Sequence, residues 1–272
     1  MEIHFLGTAA SEGIPNPYCS CRLCEHTRVK KGKDVRTRSS VIIDEIMQID
    51  LSPEFSYQIM RDEVDARKIK NILFTHTHPD HFNIGELYGR MEEFGHFIDH
   101  PLKVFGNDIA ISACTSLFKG YSKQRLNFHR AIPFETLEID GYSITPLLSN
   151  HMEWEFSYIY FIEKEGVTLF YGHDSGWFPE ITWQWLEGKN IDLSVLECTL
   201  GTSGNNRTDN HMNPETIIAT RDKLRAIGCY NNGSEIIISH ISHNTEMNHK
   251  ELQNKMAAEG ILVACDGLKI NI

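Results

Sequence analysis

Four potential metal ligands stand within six positions in Phe74-Thr75-His76-Thr77-His78-Pro79-Asp80-His81. Imidazole and carboxylate donors suit zinc, manganese or iron. An apolar run leads straight into them, and Pro79 with the alternating spacing makes the segment a loop at a strand end. Such a loop aims His76 and His78 at one point and Asp80 and His81 at a neighbouring one. The competing reading, surface histidines in a turn, explains a lone histidine but not this density. Three further candidates follow predicted strands: His151 after the run ending near Leu148, Asp174 after Val167 to Tyr171, and His240 after Ile236-Ile237-Ile238. Taken singly, each reads as readily as a core or surface residue. His4 and His173 read as structural.

A second constellation is Cys19-x-Cys21-x-x-Cys24, three soft thiolate donors in one short loop. Three such ligands suggest a closed structural zinc once a fourth is found. His26 is the local candidate. His243, three residues beyond His240, is the better one. The other cysteines, Cys114, Cys198, Cys229 and Cys265, lie in apolar segments and read as core. An odd total of seven argues against a disulfide framework.

These residues need elements to hold them. Ser40 to Ile43 and Ile46 to Asp50 read as a hairpin turning at Asp44 and Glu45. Ser52 and Pro53 then read as the N-cap and first turn of a helix through about Arg61. Strands are expected at Asn71 to Thr75, Leu102 to Phe105, Tyr142 to Leu147, Tyr158 to Ile162, Val167 to Tyr171, Asp192 to Glu197 and Glu235 to Ser239. Asn213 caps and Pro214 begins a helix to about Ala226. Asn248, with Glu251 three residues on, caps another to about Ala258, before closing strands Ile261 to Cys265 and Leu268 to Ile272. Mixed strands alternating with helices indicate a layered α/β fold, with residues 1–272 expected as a single domain.

Composition sets bounds. The chain has 272 residues, 41% hydrophobic and 23% charged, and a net charge of −11 that disfavours a general nucleic-acid binder. A basic run from Arg22 to Arg38 is the exception, read as a solvated loop with some capacity for phosphate contacts. No apolar run of about 18 residues exists to span a membrane. The N-terminus lacks the basic region and apolar run of a secretory signal, so a cytoplasmic location is expected.

The order His76-x-His78-x-Asp80-His81, then His151, Asp174 and His240, resembles the metallo-β-lactamase superfamily. The resemblance implies an αββα sandwich, two mixed sheets flanked by helices. It places His76, His78 and His151 on one metal, Asp80, His81 and His240 on another, and Asp174 between them, with Asp50 buttressing the loop. Two divalent ions, zinc or manganese, are thus expected, plus one structural zinc. Leu6-Gly7-Thr8-Ala9-Ala10-Ser11-Glu12-Gly13-Ile14-Pro15 and the cysteine loop resemble the phosphodiesterases of phosphonate degradation that hydrolyse phosphoribosyl cyclic phosphate. Leu51 after Asp50 and the less glycine-rich Thr8-Ala9-Ala10 depart from that branch.

The reaction so implied is phosphodiester hydrolysis by a two-metal-activated hydroxide. His211, just before the helix that Asn213 caps, matches a histidine that such enzymes carry ahead of a helix and is the expected proton donor. The helix N-terminus is a candidate phosphate contact. Asp80 doubles as a group that orients or deprotonates the water. The expected partner is a small phosphate ester, with a homodimer left open. Two other readings stand beside it. One is an accessory metalloprotein like that of pyrroloquinoline quinone biosynthesis. The other is a tRNA 3′-processing nuclease, disfavoured because no basic surplus or RNA-binding arm is evident. Residues 85 to 135 are expected to line the pocket.

Overall fold

The computed structural model describes residues 1–120, 123–201 and 209–272. Fourteen strands form two sheets of seven strands each among the described residues. The first sheet holds β1 (Glu2–Gly7), β2 (Ser40–Ile43), β3 (Met47–Ile49), β4 (Asn71–Leu73), β5 (Leu102–Gly106), β6 (Leu126–Arg130) and β14 (Leu268–Asn271), in the order β14-β1-β2-β3-β4-β5-β6. The second holds β7 (Leu137–Ile139), β8 (Tyr142–Leu148), β9 (Tyr158–Lys164), β10 (Val167–Gly172), β11 (Leu193–Cys198), β12 (Glu235–Ile241) and β13 (Ile261–Val263), in the order β13-β12-β11-β10-β9-β8-β7. In each sheet three antiparallel pairings give way to three parallel ones.

Strand periodicity builds the layers. Side chains alternate across a strand, so a run that is apolar throughout must be buried on both faces. In β12, Ile237 points into the core between the sheets while Ile236 and Ile238 point to the outer helices. In the first sheet Val41, Ile43 and Leu73 face the second sheet, and Ile42, Ile72 and Phe74 face outward. Helices α2 (Phe55–Arg61) and α3 (Asp108–Leu117) lie on the first sheet's outer side. Helices α4 (Glu180–Leu186), α5 (Pro214–Ala226) and α6 (His249–Ala257) cover the second through Trp183, Leu186, Ile217, Leu224, Leu252 and Met256. The result is the expected αββα sandwich.

Several local expectations shift. The β2–β3 turn does place Asp44 and Glu45 at positive φ, as a tight hairpin of this hand requires. Ser52 does not cap α2: the helix starts at Phe55, and Ser52 Oγ instead donates to Gln58 Oε1 at 2.9 Å. The basic run is a solvated loop only in part: Arg22, Lys30, Lys31 and Lys33 are exposed as expected, but the rest departs from that reading. It forms α1 (Arg22–Lys30), and Arg36 is buried, donating to Thr8 Oγ1 and the Ala264 carbonyl at 2.7 Å each. Helices α3 and α4 and strands β6 and β7 stand where the sequence reading assigns no element. Helix α5 runs from Pro214 to Ala226 with the Asn213 cap, and α6 has the full capping box of Asn248 and Glu251. Cys114, Cys198, Cys229 and Cys265 are buried free thiols.

Candidate metal centre

Every residue of the expected centre leaves the carboxyl end of a strand, where open α/β sheets present their crevice. His76 to His81 follow β4, His151 follows β8, Asp174 follows β10, and His240 belongs to the end of β12. Asp50 at φ 60°, Asp174 at φ 46° and His240 at φ 48° occupy the left-handed region. Such backbone costs energy for residues other than glycine and persists where surrounding contacts enforce it.

The donors converge. His78 Nδ1 lies 2.9 Å from His76 Nε2 and 3.1 Å from His151 Nε2. One ring nitrogen cannot satisfy two such neighbours by hydrogen bonding. His81 Nε2 lies 2.7 Å from Asp174 Oδ2, 3.1 Å from Asp80 Oδ2 and 3.2 Å from His240 Nε2. Asp174 Oδ2, though buried, has no hydrogen bond of acceptable geometry. Donors that face one another without bonding are aimed at common points between them. The groups His76–His78–His151, His76–His81–Asp174 and Asp80–His81–His240 each bring their ligand atoms within 4.8 Å. The donor set fits divalent cations.

Charge gives the same demand. Burial disfavours a charged His81, yet Asp80, Asp174 and Asp50 hold its pKa well above the ordinary value. Burial also raises Asp174 and Asp80, but the surrounding histidines hold Asp174 well below, and His81 and His240 hold Asp80 below, the usual carboxylate range. His76 and His151 are pushed down by burial and so present free lone pairs. Buried carboxylates that stay ionised require cations.

Neighbouring groups fix the rings. His81 Nδ1 donates to Asp50 Oδ2 at 2.7 Å, and Asp50 also accepts from Thr75 N and Oγ1 at 2.8 Å each. Thr199 Oγ1 stands 2.8 Å from His240 Nδ1, leaving Nε2 to the cluster. Glu155, buried, accepts from Thr77 N at 3.0 Å and from Asn107 Nδ2 at 2.7 Å, tying the histidine loop to the cap of α3. His4 pairs with Asp62 at 3.2 Å, and His173 Nδ1 meets the Tyr171 hydroxyl at 2.8 Å.

His211 is brought to the same place, its ring 4.8 Å from that of His151 and its Nδ1 3.6 Å from Asp174 Oδ1. Its Nδ1 donates to Glu197 Oε1 at 2.6 Å. Burial opposes its charge, but Glu197, Asp174 and Asp80 raise its pKa to about 9. Sequence reading passed over Glu197, Glu155 and Thr199. A carboxylate ending the apolar strand β11 was the available signal for Glu197, which is fully buried. The amide-rich end of α5 is less open than expected, since Pro214 has no N–H and Asn213 Oδ1 takes Thr216 N at 2.8 Å. Of residues 85 to 135, Asn107, Asp108 and Ile109 line a 370 Å³ cavity with Trp154, whose ring is 6.4 Å from that of His78. Residues 121–122 of that stretch lie outside the described residues.

The second constellation also assembles. Cys19, Cys21, Cys24 and His243 bring their ligand atoms within 4.8 Å of one another. His243 Nδ1 is 3.5 Å from both Cys19 Sγ and Cys21 Sγ, which is close to the roughly 3.5 Å between nitrogen and sulfur around tetrahedral zinc. His26 is drawn away to Asp34 at 3.2 Å. Burial raises Cys21, but hydrogen bonds from His243 and the Cys24 amide overcome it and bring the thiol to about 6.

A four-layer sandwich with histidines and carboxylates gathered at its strand ends defines a metal-dependent hydrolase fold. The chain belongs to the β-lactamase superfamily, whose domain model matches residues 47–241. It is similar in structure to a diphosphatase of the PhnP family (TM-score 0.77, 22% identity, covering 100% of this chain and 97% of that one). It is likewise similar to Zn²⁺-bound PqqB from Methylobacterium extorquens (TM-score 0.76, 20% identity, 100% of both chains). At these identities the likeness is one of metallo-β-lactamase fold. An octanoyltransferase of Porphyromonas gingivalis is 35% identical over 85 residues, which is 30% of this chain and 16% of that protein's length. No helix among the described residues is long and apolar enough to cross a membrane.

Proposed function

We propose that this chain is a metal-dependent phosphodiesterase acting on a small phosphate ester, cyclic esters included. The observation that carries the reading is the His211–Glu197 pair, an imidazole whose Nδ1 is held at 2.6 Å by a fully buried carboxylate beside the histidine–carboxylate cluster. Hydrolysis of an alkyl phosphodiester releases a basic alkoxide, and such a leaving group needs a proton.

In this reading His76, His78 and His151 hold one divalent ion, Asp80, His81 and His240 another, and Asp174 serves both. Cys19, Cys21, Cys24 and His243 hold a structural zinc. When bound, ions at the paired centre supply Lewis acidity toward the phosphoryl group and neutralise developing charge. Glu197 keeps Nδ1–H of His211 engaged, so Nε2 is the atom that passes a proton to the departing oxygen. Asp50 and Thr199 hold His81 and His240 in orientation. Ile109, Met152, Trp154 and Phe156 line the 370 Å³ cavity together with Asp108 and Glu153. An apolar wall with acidic neighbours repels phosphate and receives the organic part of the ester.

The test is hydrolysis of bis(p-nitrophenyl) phosphate beside ribosyl and nucleoside cyclic phosphates, with zinc- or manganese-loaded protein and metal counted in parallel. Turnover that vanishes in His76→Ala is the expected result. About three bound metals with no turnover on any ester would overturn the proposal and favour a PqqB-like accessory role.

A further inference from the structure

The cavity beside the metal centre has a volume of 370 Å³, within the roughly 300–1,000 Å³ of small-molecule sites. Residues 152–156 and the start of α3 line it. Trp154 stands 6.4 Å from His78 between ring centroids, so the cavity adjoins the histidines. Among the described residues, no lysine or arginine lines it.

The lining segment is pinned at its middle. Glu155 is buried and spends both oxygens: Oε1 accepts from Thr77 N at 3.0 Å and Thr77 Oγ1 at 2.7 Å, and Oε2 accepts from Asn107 Nδ2 at 2.7 Å. Asn107 Nδ2 also donates to the Phe156 carbonyl at 2.7 Å. The residues on either side of Glu155 stay in solvent, with Trp154 69% and Phe156 57% exposed. Aromatic rings left in water on a pinned segment form a preorganised contact surface. Next to them Glu153 is exposed and has no ion pair or hydrogen bond among the described residues. Asp108, the other acid at the cavity with an exposed carboxylate, is already paired with Arg130.

Two exposed aromatic side chains beside an unpaired carboxylate suit a cation, which the carboxylate attracts by charge and the rings by their quadrupoles. The same carboxylate repels a second phosphate, and the net charge of −11 does so at longer range. We propose that this cavity receives an ammonium group carried on the ester, so that the preferred substrates are phosphodiesters of choline or a similar amino alcohol. Trp154 and Phe156 are its aromatic walls and Glu153 its counter-charge. The inference rests on the phosphodiesterase reading for turnover but not for binding, which a phosphorylated amine displays whether or not an ester is cleaved.

Calorimetric titration of the zinc-loaded full chain compares phosphocholine with 3,3-dimethylbutyl phosphate, the carbon isostere whose head has no charge. Phosphocholine is expected to bind at least tenfold tighter. Glu153→Gln should erase most of that preference. Trp154→Ala should weaken phosphocholine tenfold or more, and Trp154→Phe should keep most of its affinity. Both positions are exposed, so metal content and the denaturant midpoint should stay native in each variant. Equal affinity for the two isosteres, no binding of phosphocholine, or a preference unchanged in Glu153→Gln would each overturn the proposal. Adenosine monophosphate bound more tightly than phosphocholine would overturn it too, making the cavity a base pocket. Hydrolysis of glycerophosphocholine is followed in parallel: the binding preference without turnover of any ester would sink the phosphodiesterase reading and leave the ammonium site standing.

Discussion

His211 donates to Glu197, and this pair makes a prediction that separates proton donation from metal holding. A p-nitrophenolate leaves without help, whereas a sugar alkoxide does not. His211→Ala should therefore slow alkyl and ribosyl esters by roughly 10²–10⁴-fold while leaving nitrophenyl esters far less affected. Metal content should stay that of the native protein. Loss of a metal, or an equal loss of rate on both ester types, would instead make His211 a ligand, a role its approach to His151 and Asp174 permits. Asp50 acts through His81, so Asp50→Asn should weaken metal binding by roughly 10–100-fold. Competition with a chelator measures this, and an unchanged affinity would contradict the assignment.

Strand ends and turns do the positioning. Gly7 ends β1 where the first sheet bends, and a Cβ there would run into the Arg38 carbonyl. Gly7→Ala should thus lower stability by about 1–3 kcal/mol, the usual cost of overpacking. Gly89, with nothing within 4 Å of its Cβ position, is the control and should be near neutral. Denaturant midpoints of the two variants decide it; equal shifts would refute the clash. The cysteine loop is a longer-range device, since Cys21 caps α1 and meets His243 from β12's far end. Cys24→Ser should lose one metal equivalent and several degrees of melting temperature while the catalytic pair stays loaded. Retention of all metal would exclude this site.

Across the molecule, the N-terminal loop, β12 and the C-terminal strands are stitched by buried polar contacts that respond to pH. His249 Nδ1 lies 3.0 Å from Arg36 Nη2, and burial with the Arg36 and Lys33 charges lowers its pKa from 6.5 to about 4. The unfolded chain then binds more protons between those values, so stability falls as pH drops from about 6.5 toward 4. Half exposure screens the effect to about 1–2 kcal/mol. The pH dependence of the denaturant midpoint should flatten over that window in His249→Asn, and an unaltered profile would remove His249 as its source. The ligand types, their order along the chain, the α5 and α6 caps and the layered architecture were legible in the sequence, because coordination chemistry, capping and strand periodicity are local properties of residues. Glu197, Glu155, the true start of α2 and the burial of Arg36 were not, because each depends on which strand end or loop lies opposite. Only tertiary packing, by bringing β4, β8, β10, β11 and β12 to one edge, decided that His211 meets Glu197 and that the Cys19 loop meets His243 rather than His26.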